Sequence, residues 1–298
     1  MSKVLILGGE GMLGHKMVQT LRQRFPNTAC TIMGSPGDEF YSRIGLFGEA
    51  DVIPNVNAMD LHALESMLTE HKPDFIVNCV GVIKQRDETI NALVSITLNS
   101  LLPHKLADIT ARWGGRVIHF STDCVFSGKK GNYIEDDPSD AEDLYGKSKF
   151  LGEVAVENAL TLRTSIIGRE LSHFKSLLEW FLAQRGRTIR GFRQVLYSGV
   201  TTNYMSRVVR DIIADHPSLS GLYQVTGNTI SKHDLLCTLR DAFDLDVEIV
   251  PDDGEFSDRS MVGDKFRAAT GLICPSWPEL AADLAGDPTP YQSWRRKA

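Results

Sequence analysis

Lys3 to Gly14 reads KVLILGGEGMLG, and its reading decides the fold. Lys3 to Leu7 is a short apolar run of the kind a buried strand needs, and Gly8, Gly11 and Gly14 follow at a spacing of three. Beyond them Met12, Leu13, Met17, Val18 and Leu21 recur at helical spacing as far as Pro26. The expected order is strand, glycine turn, helix. Such glycines let the backbone turn tightly and bring a helix N-terminus, with its free N–H groups and dipole, against a pyrophosphate. The flanking strand and helix favour a dinucleotide site over a plain tight turn.

Working outward, a second strand near Ala29 to Met33 ends in Gly34-Ser35, where an NAD-preferring site usually carries a carboxylate for the ribose hydroxyls. Asp38 and Glu39 come several residues late, whereas Ser35 and Arg43 suit a 2′-phosphate. NADP(H) is therefore favoured, with NAD(H) retained as the alternative in which Arg43 is a solvated loop residue. A strand near Val52 to Val56 leads to Asp60-Leu61 and a helix from Leu61 to Glu70; Asp60 reads equally as an acceptor for the adenine amino group and as the cap of that helix. Asp74 to Val80 (DFIVNCV) is a continuous apolar strand ending at Gly81, as in a parallel sheet covered on both faces. A long helical stretch from Thr89 to Trp113 and a strand from Arg116 to Phe120 then feed Ser121, Thr122 and Asp123.

Alternating strands and helices without an internal repeat predict right-handed crossovers and one parallel sheet, with ligands at the carboxyl ends of its strands. The fold class expected is α/β: a Rossmann-like doubly wound parallel sheet with a smaller C-terminal α/β substrate-binding domain. Residues 1–167, with a returning segment at 198–225, would form the dinucleotide-binding domain, and 168–298 mainly the substrate-binding one. In that later part, strands are expected at Leu160 to Ile167 and Gly221 to Val225, and helices around Phe174 to Gln184 and Asn203 to Asp215. The helix SKHDLLCTLRDAF, the strand VEIV and a tail rich in Pro, Asp and Gly complete the chain.

The chemistry concentrates in HFSTDCVFSGKKGNYIEDDPSDAEDLYGKSK, His119 to Lys149. If residues from about 142 onward are helical, Tyr145 and Lys149 share a face one turn apart. A fixed cation beside a phenol favours the phenolate and lowers its pKa, making Tyr145 a proton donor near neutral pH.

Composition narrows the classes. The net charge of −6 over 298 residues speaks against a nucleic-acid or membrane surface, and Lys129-Lys130 and Arg295-Arg296-Lys297 read as a solvated loop and tail. No run approaches the length of a membrane span, and the apolar stretch before Gly8 is too short for a signal peptide, so a cytoplasmic protein is expected. The five cysteines are scattered without a C-x-x-C pair, and the eight histidines show no metal spacing; neither a disulfide framework nor a metal site is expected.

With the glycine motif, the S-T-D strand end and the Y-x-x-x-K pair placed, the chain resembles the extended short-chain dehydrogenase/reductase superfamily, and within it the dTDP-4-dehydrorhamnose reductase family. The stretches that carry the resemblance are ILGGEGMLG, VNCVG, HFSTDCVFSG, YGKSKFLGE, LRTS and DRSMVGDKF, in family order across nearly the whole chain. KSLLEWFL and SGVTT look closer to a branch associated with polysaccharide gene clusters, similar to reductases of UDP-linked 4-keto-6-deoxy amino sugars.

The resemblance implies catalytic roles for Thr122, Tyr145 and Lys149. It implies cofactor contacts at Gly8, Gly11, Met12, Leu13, Gly14, Ser35, Asp60, Leu61, Cys79, Val80, Gly81 and Ser121, and again at Tyr145 and Lys149. Substrate would meet Thr122, Asp123, Tyr145 and Arg259. Asp123 reads equally as a contact for sugar hydroxyls and as a turn-forming residue, and Arg259 as a diphosphate ligand or a plain surface arginine. Related 4,6-dehydratases carry an acid pair after the threonine; here Cys124 follows Asp123, which disfavours dehydration.

The implied function is NAD(P)H-dependent reduction of the 4-keto group of a nucleotide-linked 4-keto-6-deoxy sugar for surface polysaccharide synthesis. The alternatives are a nucleotide-sugar epimerase with tightly held NAD and a non-catalytic NADP-binding regulatory subunit. Homodimers are implied through helices around 89–112 and 145–158, whose apolar stripes read equally as intrachain core.

Overall fold

The computed structural model describes residues 2–48, 51–82 and 91–295. The expected helix start at Thr89 and the basic residues Arg296 and Lys297 lie outside the described residues. The chain builds β1 (Val4–Leu7), α1 (Gly14–Arg24), β2 (Thr28–Thr31), α2 (Glu39–Ser42), β3 (Val52–Ile53), α3 (Leu61–His71) and β4 (Phe75–Asn78). Next come α4 (Ala92–Ser95), a π-helical turn (Ile96–Leu101), α5 (Leu102–Ala111), β5 (Arg116–Thr122), a 3-10 turn (Asp123–Val125), α6 (Leu144–Leu151) and β6 (Ala159–Thr164). The remainder is β7 (Ile166–Ile167), α7 (Leu177–Leu182), β8 (Arg187–Phe192), β9 (Val195–Tyr197), β10 (Val200–Thr201), α8 (Thr202–Asp215), β11 (Gly221–Gln224), β12 (Ile230–Ser231), α9 (Lys232–Ala242), β13 (Val247–Asp252), β14 (Ser257–Asp258), α10 (Asp264–Thr270), α11 (Trp277–Ala285) and α12 (Tyr291–Arg295).

Seven strands form one parallel sheet in the order β11-β6-β5-β4-β1-β2-β3. Alternation along each strand sends Val4, Ile6, Val77, Ile118 and Phe120 to one core and Leu5, Leu7, Ile76 and Val117 to the other. Met17, Val18 and Leu21 of α1 and Val208, Val209 and Ile212 of α8 cover the first face; Leu64 and Leu68 of α3 and Leu102, Leu106 and Ile109 of α5 cover the second. Both faces are therefore dry, which is why these strands read as continuous apolar runs. Strand order reverses between β1 and β4, and a doubly wound sheet binds its ligand at the carboxyl ends flanking that reversal.

Smaller sheets join the C-terminal region: β8 pairs in parallel with β13, and β9 lies between β12 and β14. Residues 128–133 are stitched to 258–262 by Asp258 N–H to Gly128 O, Tyr133 N–H to Ser260 O and Val262 N–H to Tyr133 O. The tail rich in Pro, Asp and Gly holds three short helices, α10, α11 and α12. Ser276 and Glu279 form a capping box that starts α11, with Pro278 in its first turn, a start signal that outweighs the surrounding Pro and Asp content. α11 and α12 then return to the core shared by α1 and α8, with Lys16 paired to Asp287 and His15 bonded to the Tyr291 hydroxyl. Among the described residues no helix is long and apolar enough to cross a membrane, and no group of three or more His, Cys, Asp or Glu could hold a metal ion. None of the five cysteines is joined in a disulfide among the described residues.

Candidate active site

The glycine turn closes tightly. Gly8 has φ +79°, a left-handed conformation, and a Cβ on Gly14 would lie 1.9 Å from Gly8 O, so a side chain at Gly14 would push the start of α1 off the turn. No side chain caps α1, and although His15 N–H is taken by Gly11 O, a helix N-terminus placed directly after a glycine turn favours an anion there. These features, with the close packing of Val80 on Gly8, fit the pyrophosphate of a dinucleotide lying across β1 and β4. Met12 and Leu13 lead into α1, while Cys79, Val80 and Gly81 follow β4 on the same edge. Burial pushes the Cys79 thiol well above its ordinary value, so it stays protonated there.

Two other expected contacts have local partners. Asp60 Oδ1 accepts from Ala63 N–H at 3.0 Å, so it caps α3. Leu61 begins that helix and is partly buried. The Ser35 N–H donates to Asp38 Oδ2 at 2.7 Å.

The second half of the site is assembled by close backbone contacts. Thr122 ends β5, its Oγ1 donating to Asp123 Oδ1 at 3.0 Å and accepting from Cys124 N–H at 3.1 Å. Asp143 caps α6 through Gly146 N–H, and a Cβ on Gly146 would lie 2.2 Å from Cys124 O. That glycine lets α6 press against the 3-10 turn, bringing the Tyr145 phenol within hydrogen-bonding reach of Thr122. Lys149, buried one turn on, donates from Nζ to Phe120 O at 2.5 Å, and a Cβ on Gly81 would lie 4.0 Å from that nitrogen. Thr122, Asp123, Tyr145 and Lys149 thus meet beside Gly81 at the carboxyl edge of the sheet.

The electrostatics correct one expectation. Burial pushes the Tyr145 phenol up, with Thr122 only partly offsetting it, rather than Lys149 pulling it down. The cause is desolvation: the phenolate loses water, and the Lys149 ammonium is directed at a carbonyl. Burial lowers Lys149 itself to about 8, with Glu153 opposing the shift. Tyr145 is therefore a neutral phenol carrying a proton, with a cation nearby. Burial also raises Asp123, against the pull of Thr122 and Arg259. Arg259 reaches the site from after β14 with Nε donating to Phe126 O at 2.9 Å, so it is an oriented guanidinium near Asp123.

Three supporting groups escaped the sequence reading. Glu153 accepts from Ser121 Oγ at 2.6 Å and from Arg163 Nε and Nη2 at 2.8 and 2.7 Å, a buried pair behind the strand end. It lies two residues past the end of α6, so helical spacing from Lys149 does not reach it. Asn99, in the π-helical turn, accepts from Val82 N–H at 2.9 Å and donates to Ser148 Oγ at 3.1 Å, fixing α6 to the segment after β4. A Cβ on Gly152 would lie 1.8 Å from Asn99 O, so this contact too needs a glycine. No sequence periodicity marks a π turn, though such turns gather at functional sites.

The model of the RmlD substrate binding domain family matches residues 2–258. The methionine adenosyltransferase 2 subunit beta of Xenopus laevis is 26% identical over 266 residues, covering 82% of this chain and 72% of the relative. The spore coat polysaccharide biosynthesis protein SpsK of Bacillus subtilis is 27% identical over 239 residues, 77% of this chain and 75% of the relative. Among solved structures, dTDP-4-dehydrorhamnose reductase of Bacillus anthracis in complex with NADP superposes with a TM-score of 0.75 at 19% identity, over 95% of this chain and 98% of that one. At that identity the likeness is one of fold.

Proposed function

Since the chain belongs to the RmlD substrate binding domain family, of sugar-nucleotide reductase/epimerase type, we propose that it reduces the 4-keto group of a nucleotide-linked 4-keto-6-deoxy sugar, for surface polysaccharide synthesis. The observation that carries this reading is the meeting of a neutral Tyr145 phenol, the Thr122 hydroxyl and the buried Lys149 ammonium beside Gly81. When bound, NAD(P)H supplies the hydride. Gly8, Gly11 and Gly14 would hold its pyrophosphate against the α1 N-terminus, and the dinucleotide would pass Val80 and Gly81 toward Lys149.

As C4 gains the hydride, the carbonyl π electrons move to oxygen, and Tyr145 transfers its phenolic proton to that oxygen. Thr122 hydrogen-bonds the same oxygen as its charge grows, exchanging Asp123 Oδ1 for the substrate. The phenolate left on Tyr145 is stabilised by Lys149. Asp123, released, faces the sugar hydroxyls, and Arg259 offers its fork to the nucleotide diphosphate. The test is consumption of NADH and NADPH against a panel of dTDP- and UDP-linked 4-keto-6-deoxy sugars. Oxidation of cofactor on at least one of them, abolished in Tyr145→Phe with cofactor binding retained, is expected; silence across the panel would sink the reading.

A second reading comes from the relatives. The methionine adenosyltransferase subunit suggests a cofactor-binding regulatory role, favoured if the chain binds a partner enzyme stoichiometrically and oxidises NADPH on no keto sugar. Exposed Leu93, Ile96 and Leu101 on the segment before α5, and Phe150, Leu151 and Val156 at and after the end of α6, support pairing with a second copy. Light scattering at micromolar concentration tests it, and a monomer would refute it.

A further inference from the structure

The glycine turn carries a carboxylate that the proposed chemistry does not use. Glu10 lies between Gly9 and Gly11, and its side chain crosses to the carboxyl end of β2. There Oε1 accepts from Met33 N–H at 3.0 Å and from the Tyr41 hydroxyl at 3.5 Å. Its Oε2 is buried with no hydrogen-bond partner among the described residues. A buried carboxylate oxygen without a donor is costly, and such an atom in a native fold calls for an absent donor. The space between the first glycine turn and the end of β2 is where a doubly wound sheet receives the adenosine ribose, whose diol offers two O–H donors.

We propose that Glu10 reads the adenosine ribose, accepting from its hydroxyls in place of the acid usually found at the end of β2, and so makes the chain selective for NAD(H) over NADP(H). The proposal rests on reading the turn as a dinucleotide site and deepens the reductase assignment by naming its cofactor.

The neighbouring charges agree. Ser35 and Arg43, the residues that pointed to a 2′-phosphate in the sequence, engage acids of their own loop: the Ser35 N–H meets Asp38, and Arg43 Nε donates to Glu39 O at 3.0 Å with Nη1 3.8 Å from the Glu39 carboxylate. A 2′-phosphate would bring about two negative charges toward Glu10 and Asp38. Burial and then the charge of Glu10 push the Tyr41 phenol up, keeping it a donor to that carboxylate. A ribose diol in the same place brings donors and no charge.

The test is equilibrium binding of NADH and NADPH to the full chain, followed by nicotinamide fluorescence at fixed ionic strength, for wild type, Glu10→Gln and Glu10→Ser. The wild-type chain is expected to hold NADH at least about tenfold more tightly, the scale of a hydrogen bond to a charged group. Both variants should bring the ratio toward one, Glu10→Ser through weaker NADH and Glu10→Gln partly through tighter NADPH. Equal or tighter NADPH binding by wild type overturns the proposal, whatever the variants do. An unmoved ratio in variants with wild-type thermal unfolding overturns it equally, and binding of neither dinucleotide removes it together with the reading of the turn. Turnover on keto sugars decides the reductase reading separately, since the ratio is measured without a sugar.

Discussion

Replacing Gly146 by Ala isolates the contact that sets the distance between Tyr145 and Thr122. The new methyl would sit 2.2 Å from Cys124 O, and reaching ordinary contact at 3.4 Å requires α6 and the 3-10 turn to separate by about 1.2 Å. The phenol and the Thr122 hydroxyl lie on the two sides of that gap, so both cannot serve one oxygen after the shift. A displacement of about 1 Å at a reacting centre costs on the order of 100-fold, and kcat for keto-sugar reduction should fall by about that factor. The glycine turn lies on other elements and only the Tyr145 and Lys149 end of the cofactor site moves with α6, so NADH and NADPH dissociation constants should rise by no more than about tenfold, the scale of one hydrogen bond. Stopped-flow single turnover measures the chemical step, fluorescence titration the binding, and a thermal melt confirms a folded variant. A folded Gly146→Ala chain reducing substrate within about threefold of the wild-type rate, where a displacement of about 1 Å predicts far more, would refute the assignment of this contact.

Glu153→Gln removes the charge that faces Arg163 within the fold, and breaking a buried pair from one side should cost about 3–5 kcal/mol, read by urea unfolding; an unchanged midpoint would contradict it. Burial holds Lys149 at about 8, so its ammonium is present at neutral pH and is lost as pH rises; kcat should fall on an alkaline limb near about 8. Glu153 raises Lys149, so Glu153→Gln should move that limb to lower pH, and a limb that stays put would place Lys149 outside its cause. Arg259→Ala should raise KM for the nucleotide sugar about tenfold with little change in kcat, as expected for a binding contact made equally in ground and transition states. Loss of kcat alone would place Arg259 elsewhere.

The sheet was legible because each strand is a short apolar run between turn signals, and seven of them in parallel must be covered on both faces. β1, the glycine turn and α1 could be read from Lys3 to Pro26, since glycine best suits φ +79° at Gly8 and alone allows the 1.9 Å approach at Gly14. Thr122 and Tyr145 could be named from the residues and from family likeness, but not their contact. That contact depends on Gly146 meeting a backbone oxygen, and one-dimensional spacing does not encode which oxygen. The sign of the Tyr145 shift was misread for a related reason: spacing shows a lysine one turn away, whereas burial depends on everything packed around it. Glu10 was hidden inside the motif that drew attention, because its long side chain acts at the end of a different strand. The capping box at Ser276 and Glu279 was present in the sequence, masked by a Pro- and Asp-rich composition.

The π-helical turn at Ile96–Leu101 also acts as a phase shifter. Leu102, Leu106 and Ile109 beyond it face the core, whereas Leu93, Ile96 and Leu101 in and before it face outward. One residue corresponds to about 100° of rotation around a helix, so removing a single residue from the turn would rotate everything upstream by roughly a quarter circle. Asn99 would leave Val82 and Ser148, and the outward set of Leu93 and Ile96 would be carried to another face. The active-site brace and the outward apolar stripe of this chain are therefore set by the same turn.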